Sequence, residues 1–162
     1  MTSYASPNTE TPARRAVQLP ADQRQERVDV ARWALANGRP MNLDAITVVL
    51  AAKAFEAGLE GRPYRRWTSA GVLTFLLGSA VEWCRQSGVE RPPSFGETLF
   101  TYLSWVAETG QLASGSSPRG ELLDAAADVG GLTRAGRSRV RPGSSSAIAR
   151  SLHRASTTSE GR

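Results

Sequence analysis

The chain has little of the chemistry from which catalytic and metal centres are built. Among its 162 residues there is one cysteine, Cys84, one histidine, His153, and one lysine, Lys53. A lone cysteine excludes an internal disulfide framework and a Cys-rich metal site, and makes a reducing cytosol the simplest compartment. The lone histidine lies near the C-terminus in a stretch rich in Ser and Arg. A nucleophile–base pair or metal cage built on it would have no packed element to hold its geometry. Glycine-rich phosphate loops and dinucleotide fingerprints are also missing. Gly130-Gly131 reads as a helix stop, and the Ser114 to Pro118 stretch lacks the lysine of a phosphate loop. Asp124 and Asp128 stand four residues apart with no His or Cys beside them, the pattern of a solvated helix face. The expectation is a non-enzymatic protein with no cofactor and no metal.

Long hydrophobic runs are lacking too. The most apolar stretch is WTSAGVLTFLLGSAVEWCRQSG, residues 67–88, in which Thr74, Ser79 and Glu82 interrupt the span from Ala70 to Cys84. A membrane helix needs roughly 20 apolar residues, so this run is too short to cross. The N-terminal MTSYASPNTETPARRAVQLP has no apolar segment after its positive residues, which argues against a secretory signal. A DNA-recognition helix must present polar side chains to base edges, whereas residues 67–88 would present Val, Leu and Phe. A buried bundle helix remains. It carries two apolar stripes, Val72, Leu76, Ala80 and Trp83 beside Leu73, Leu77, Val81 and Cys84, which together predict a wide buried face. Cys84 on such a stripe is expected to be an unreactive small hydrophobe. Gly71 and Gly78 would allow close backbone approach.

Helical punctuation is what the sequence does have. Residues 22 to 37 place Val28, Ala31 and Leu35 on one face before Gly38. Asn42 can cap a second helix with the stripe Leu43, Ile46, Leu50 and Ala54, closed at Gly58. Thr68 can cap the third. After Pro92-Pro93, Ser94 and Glu97 have the spacing of a capping box ahead of Phe95, Leu99, Leu103 and Val106, with Thr98, Thr101, Ser104 and Glu108 on the remaining faces and a stop at Gly110. Ser117 and Pro118 give an N-cap and first residue for a fifth helix with Leu122, Ala126 and Val129. The predicted fold is all-α: a single small bundle of about five helices over residues 22–132. Flanking it are a disordered segment 1–21 and a basic, Arg-, Ser- and Gly-rich tail 133–162.

Charge is divided unevenly along the chain. The net charge of +5 comprises −2 on residues 22–132, +1 on residues 1–21 and +6 on the tail, where seven Arg face one acid, Glu160. Arg134, Arg137, Arg139 and Arg141 nearly alternate among Gly, Ser and Pro, an arrangement suited to neutralising phosphates without reading sequence. Nucleic acid, another protein and an anionic lipid surface are the partners such a tail would suit. The excess of Arg over Lys, 19 to one, also fits a GC-rich coding sequence, which would supply Arg with no functional demand. A second basic element, RPYRRW at residues 62–67, offers Arg65, Arg66 and Trp67 as a contact patch. Its structural alternative has Trp67 and Tyr64 packing over the bundle end with the arginines in water.

Trp67-Thr68, Val72, Leu76-Leu77, Trp83-Cys84, Pro92-Pro93, Leu103, the TGQLASGSSP stretch and Gly130-Gly131-Leu132 resemble small helical proteins of actinobacteria, some carried by mobile elements. In size and composition the chain is similar to accessory proteins of the transfer or spread type on conjugative plasmids. That resemblance implies a macromolecular interaction protein acting in plasmid transfer or maintenance. The alternative reading is a nucleic-acid-binding regulator that uses the Arg-rich tail. The resemblance rests on packing and capping residues and implies no catalytic residue.

Overall fold

The computed structural model describes residues 17–129, and among them all regular structure is helical. Helix α1 spans Ala21–Ala36 and α2 spans Leu43–Glu60. Helix α3 runs in three consecutive pieces: α-helical Ser69–Thr74, a π turn Phe75–Ser79, and α-helical Ala80–Ser87. Helix α4 spans Phe95–Glu108 and α5 spans Arg119–Val129. The expected five-helix, all-α architecture is therefore present, while the expectations for the N-terminal residues 1–16 and for the Arg134–Arg141 tail lie outside the described residues.

Local signals account for several helix ends. Asn42 Oδ1 accepts from the backbone N–H groups of Asp44 and Ala45, each at 2.9 Å, satisfying two donors that the first turn of α2 leaves over. Thr68 Oγ1 accepts from Gly71 N at 3.0 Å and starts α3. Gly71 has to be glycine for a local reason, because a Cβ there would lie 2.8 Å from that capping oxygen. Gly71→Ala is therefore expected to displace the Thr68 cap and cost about 1 kcal/mol, against the small gain that Ala normally brings to a helix interior. Urea titration would show it, and a stabilised Gly71→Ala protein would contradict the cap. At Gly78 a Cβ would meet nothing within 4 Å, so the expected close approach does not occur there.

Other ends differ from expectation. Helix α2 passes through Gly58 and stops at Gly61, whose φ of 61° is the left-handed stop. Ser94 stands before α4, yet its hydroxyl makes no capping bond and is buried without a protein partner, so the capping box does not form. The helical bond from Leu122 N to Pro118 O places Pro118 just ahead of α5. Ser117 spends its hydroxyl elsewhere, as described below.

Helices α2 and α4 form the centre. Ala45 to Leu50 and Thr101 to Val106 are buried without interruption, and α1, α3 and α5 pack around them. The core includes Ile46, Leu50, Trp67, Phe75, Phe95, Leu99, Tyr102, Leu103 and Leu122, all at 2% exposure or less. The small polar residues of α4, expected on open faces, are inside. Thr98 Oγ1 accepts from Asn42 N at 3.2 Å, Thr101 donates to Pro40 O at 2.7 Å, and Ser104 donates to Phe100 O at 2.9 Å. Each hydroxyl has a partner, so burial costs little. Leu19 is also buried, which places the start of packing ahead of Pro20.

Helix α1 presents the face opposite to the one its apolar spacing indicates. Val28 and Leu35 are exposed, and Gln23, Glu26, Val30 and Ala34 face inward. The reason is a polar partner in the core: Tyr102 donates its hydroxyl to Glu26 Oε1 at 2.9 Å. On α2, likewise, Leu43 is exposed while Ile46 and Leu50 are fully buried.

Candidate functional site

The quoted apolar helix, α3, does not bury both of its stripes. Val72, Phe75, Leu76, Ala80 and Cys84 face the core, and burial pushes the Cys84 thiol pKa up. Leu73, Leu77 and Val81 face outward, at 41%, 69% and 45% exposure. The wide face predicted from two stripes is corrected to a single buried one among the described residues, because the neighbours of α3, chiefly α2 and α5, cover the Val72–Leu76–Ala80 side.

The π turn lies in the middle of this helix. Its defining bond runs from Ala80 N to Phe75 O, five residues back. In a regular α-helix, positions four apart drift by about 40° around the axis at each step. The wider turn offsets part of that drift, and Leu73, Leu77 and Val81 are all exposed. Arg91 secures the turn by donating Nη1 to Leu76 O at 3.1 Å, with its guanidinium 5.7 Å from the Phe95 ring. Ser79, the last residue of the turn, donates to Glu56 Oε1 at 2.7 Å. Polar groups bound the ridge at its C-terminal end. Arg85 donates to both oxygens of Glu82 at 2.9 and 2.6 Å, and Gln86 donates at 2.6 Å, holding the Glu82 carboxyl at about 2. π turns inside α-helices frequently occur at functional sites.

The RPYRRW loop is built into the bundle rather than laid over it. Trp67 is 1% exposed, so it is a core side chain and offers no contact surface. Its ring meets Phe75 edge-on at 5.2 Å and Tyr102 at 6.2 Å, and Lys53 Nζ sits 4.2 Å from its centroid. Main-chain pairing with residues 113–117 draws it inward. Ala113 N donates to Arg65 O at 3.0 Å and Ser117 N to Trp67 O at 2.8 Å. In return the Ser116 and Ser117 hydroxyls accept from Trp67 N and Ser69 N, both at 3.2 Å.

The two arginines part company. Arg65 is partly covered, with Nη2 3.4 Å from Glu26 Oε2 and its guanidinium 6.0 Å from the Trp105 ring. Arg66 is exposed and lies against Gly115. Of the predicted contact patch, Arg66 is open, Arg65 is half committed and Trp67 is internal. Arg134, Arg137, Arg139 and Arg141 fall outside the described residues, as does His153.

Two polar clusters flank Trp67. On one side Lys53 Nζ is 2.5 Å from Glu56 Oε2, both side chains being 8% exposed, and Ser79 occupies the other carboxylate oxygen. A cleft of about 200 Å³ opens beside this pair, walled by Glu60, Arg62, Arg66 and Thr74. With both Glu56 oxygens engaged by protein groups, the pair serves to hold α2 against the π turn. On the other side Glu26, Arg65 and Tyr64 border a second cleft of about 360 Å³, with Tyr102 bonded to Glu26 from the core. Neither cluster was legible in the sequence, since the first joins α2 to α3 and the second joins α1, α4 and the Tyr64–Arg65 loop.

Among the described residues no helix is long and apolar enough to cross a membrane. Comparison with family models, with curated proteins and with solved structures gives no match to this chain.

Proposed function

We propose that the chain is a non-enzymatic interaction protein whose bundle offers the Leu73–Leu77–Val81 ridge to the apolar helix face of a partner protein. The exposure of those three aliphatic side chains, four residues apart on one helix, is the observation that supports it. Burying them against a partner would recover roughly 25 cal/mol per Å² of apolar surface, and a helix laid along the ridge would meet it with its own i, i+4 anchors. An accessory role in plasmid transfer or maintenance is the setting suggested by the resemblance to mobile-element proteins, and it requires a contact of this kind.

The test is affinity capture from extract of the source organism with three baits: the full chain, the chain lacking residues 133–162, and Leu77→Arg. A partner bound directly through the ridge is retained by the first two and reduced at least about tenfold by Leu77→Arg, which would bury an unpaired charge at the contact. Capture unchanged by Leu77→Arg would contradict the proposal.

A second reading is favoured by one observation, the +6 charge of residues 133–162. A nucleic-acid-binding regulator would bind duplex DNA with an affinity that falls steeply with salt and is lost with the tail. Absence of DNA binding at low salt would eliminate it.

A further inference from the structure

The cleft between α1, α2 and the Tyr64–Arg65 loop holds polar groups that the fold leaves unused. Asp22, Gln23 and Glu26 form one wall, Tyr64 and Arg65 the other, and Ala54 and Ala57 lie between them. Gln23 is 8% exposed, and its buried Oε1 accepts from no protein donor. The Tyr64 hydroxyl is buried in the same cleft and has only the Tyr102 hydroxyl to interact with. Folded proteins rarely leave such groups unmatched, because each loses its bonds to water without replacing them.

The balance of donors and acceptors indicates what would match them. The cleft presents the Gln23 amide oxygen and the carboxylates of Asp22 and Glu26 against a single guanidinium, a formal excess of one negative charge. Glu26 Oε1 is taken by Tyr102, but Oε2 faces Arg65 only at 3.4 Å, longer than a good charge-assisted hydrogen bond of roughly 2.7–2.9 Å. That oxygen retains acceptor capacity. Burial pushes the Tyr64 pKa up, so its hydroxyl stays neutral and can accept or donate. An anion would meet two carboxylates, and a neutral alcohol would bring one donor to several acceptors. A primary ammonium brings a positive charge and three donors, and a short alkyl chain behind it would lie on Ala54 and Ala57.

We propose that this cleft binds a small primary amine, with Gln23 Oε1, Asp22 and Glu26 Oε2 receiving the ammonium and the alanine floor receiving its alkyl chain. The site is independent of the α3 ridge, so either can fail without the other.

Calorimetric titration of the full chain with putrescine at neutral pH tests it, with butanoate as the anionic control. Saturable one-site binding of putrescine is expected, weakened at least about tenfold by Asp22→Asn and by Gln23→Leu, the loss that follows from removing a charge-assisted hydrogen bond. Arg66→Ala, outside the cleft, should leave the affinity as it is. Asp22 is exposed, so Asp22→Asn keeps the test sound even if Gln23→Leu disturbs packing. Three results overturn the proposal: no putrescine binding up to about 10 mM, weaker than any specific site of this kind; equal affinity in the native chain and both cleft variants, the mark of diffuse counterion attraction; or butanoate binding as well as putrescine.

Discussion

Replacing Trp67 by Ala is expected to cost about 3–5 kcal/mol of unfolding free energy, the range for deleting a fully buried large aromatic. The indole is 1% exposed and lies between Phe75 of α3, Tyr102 of α4 and Lys53 of α2. Its removal leaves a cavity where three helices and the 113–117 loop meet, and takes away the ring over which the Lys53 ammonium rests. Domains of this size have about 5–15 kcal/mol in total, so Trp67→Ala would be largely unfolded on mild heating. Urea denaturation followed by circular dichroism measures the loss. Arg66→Ala, at an exposed position of the same loop, is expected to stay within about 0.5 kcal/mol of the native chain. Equal midpoints for the two variants would mean that Trp67 is a surface residue.

A second large effect is expected at the buried ion pair. Glu56→Leu removes the carboxylate from beneath Lys53 and leaves an ammonium 7% exposed with no counter-charge, a change worth about 3–5 kcal/mol. It also strands the Ser79 hydroxyl at the end of the π turn. The double variant Lys53→Met with Glu56→Leu is expected to recover most of that loss, because an apolar pair of similar volume needs no compensation. With the native chain and Lys53→Met alone they form a thermodynamic cycle, and denaturation midpoints give the coupling. Additive losses would show that Lys53 and Glu56 are each solvated independently.

Where a structural feature depends on neighbours within a few residues, the sequence displays it. Asn42 and Thr68 cap donors two or three positions ahead, and both caps are present. The helix count follows from the same short-range punctuation. Features that depend on distant partners are hidden. The inward face of α1 cannot be inferred from Val28, Ala31 and Leu35, since Glu26 is turned inward by Tyr102, 76 residues away. Thr98, Thr101 and Ser104 look like an exposed set until Asn42 and Pro40 are placed beside the first two. The Trp67 loop reads as a surface patch because nothing nearby in sequence announces its pairing with residues 113–117. The ridge on α3 is a hybrid case. Its three residues are plain in the sequence, and only the one-sided packing of α3 determines that they face outward.

Helix α3 divides into a buried edge and an open one, and hydroxyl-radical footprinting read by mass spectrometry tests this division most directly. Leu73 and Leu77 should be oxidised rapidly in the purified chain, with Phe75 and Leu76 protected, as their exposures of 41% and 69% against 0% and 4% require. Comparable oxidation of Leu76 and Leu77 would contradict it.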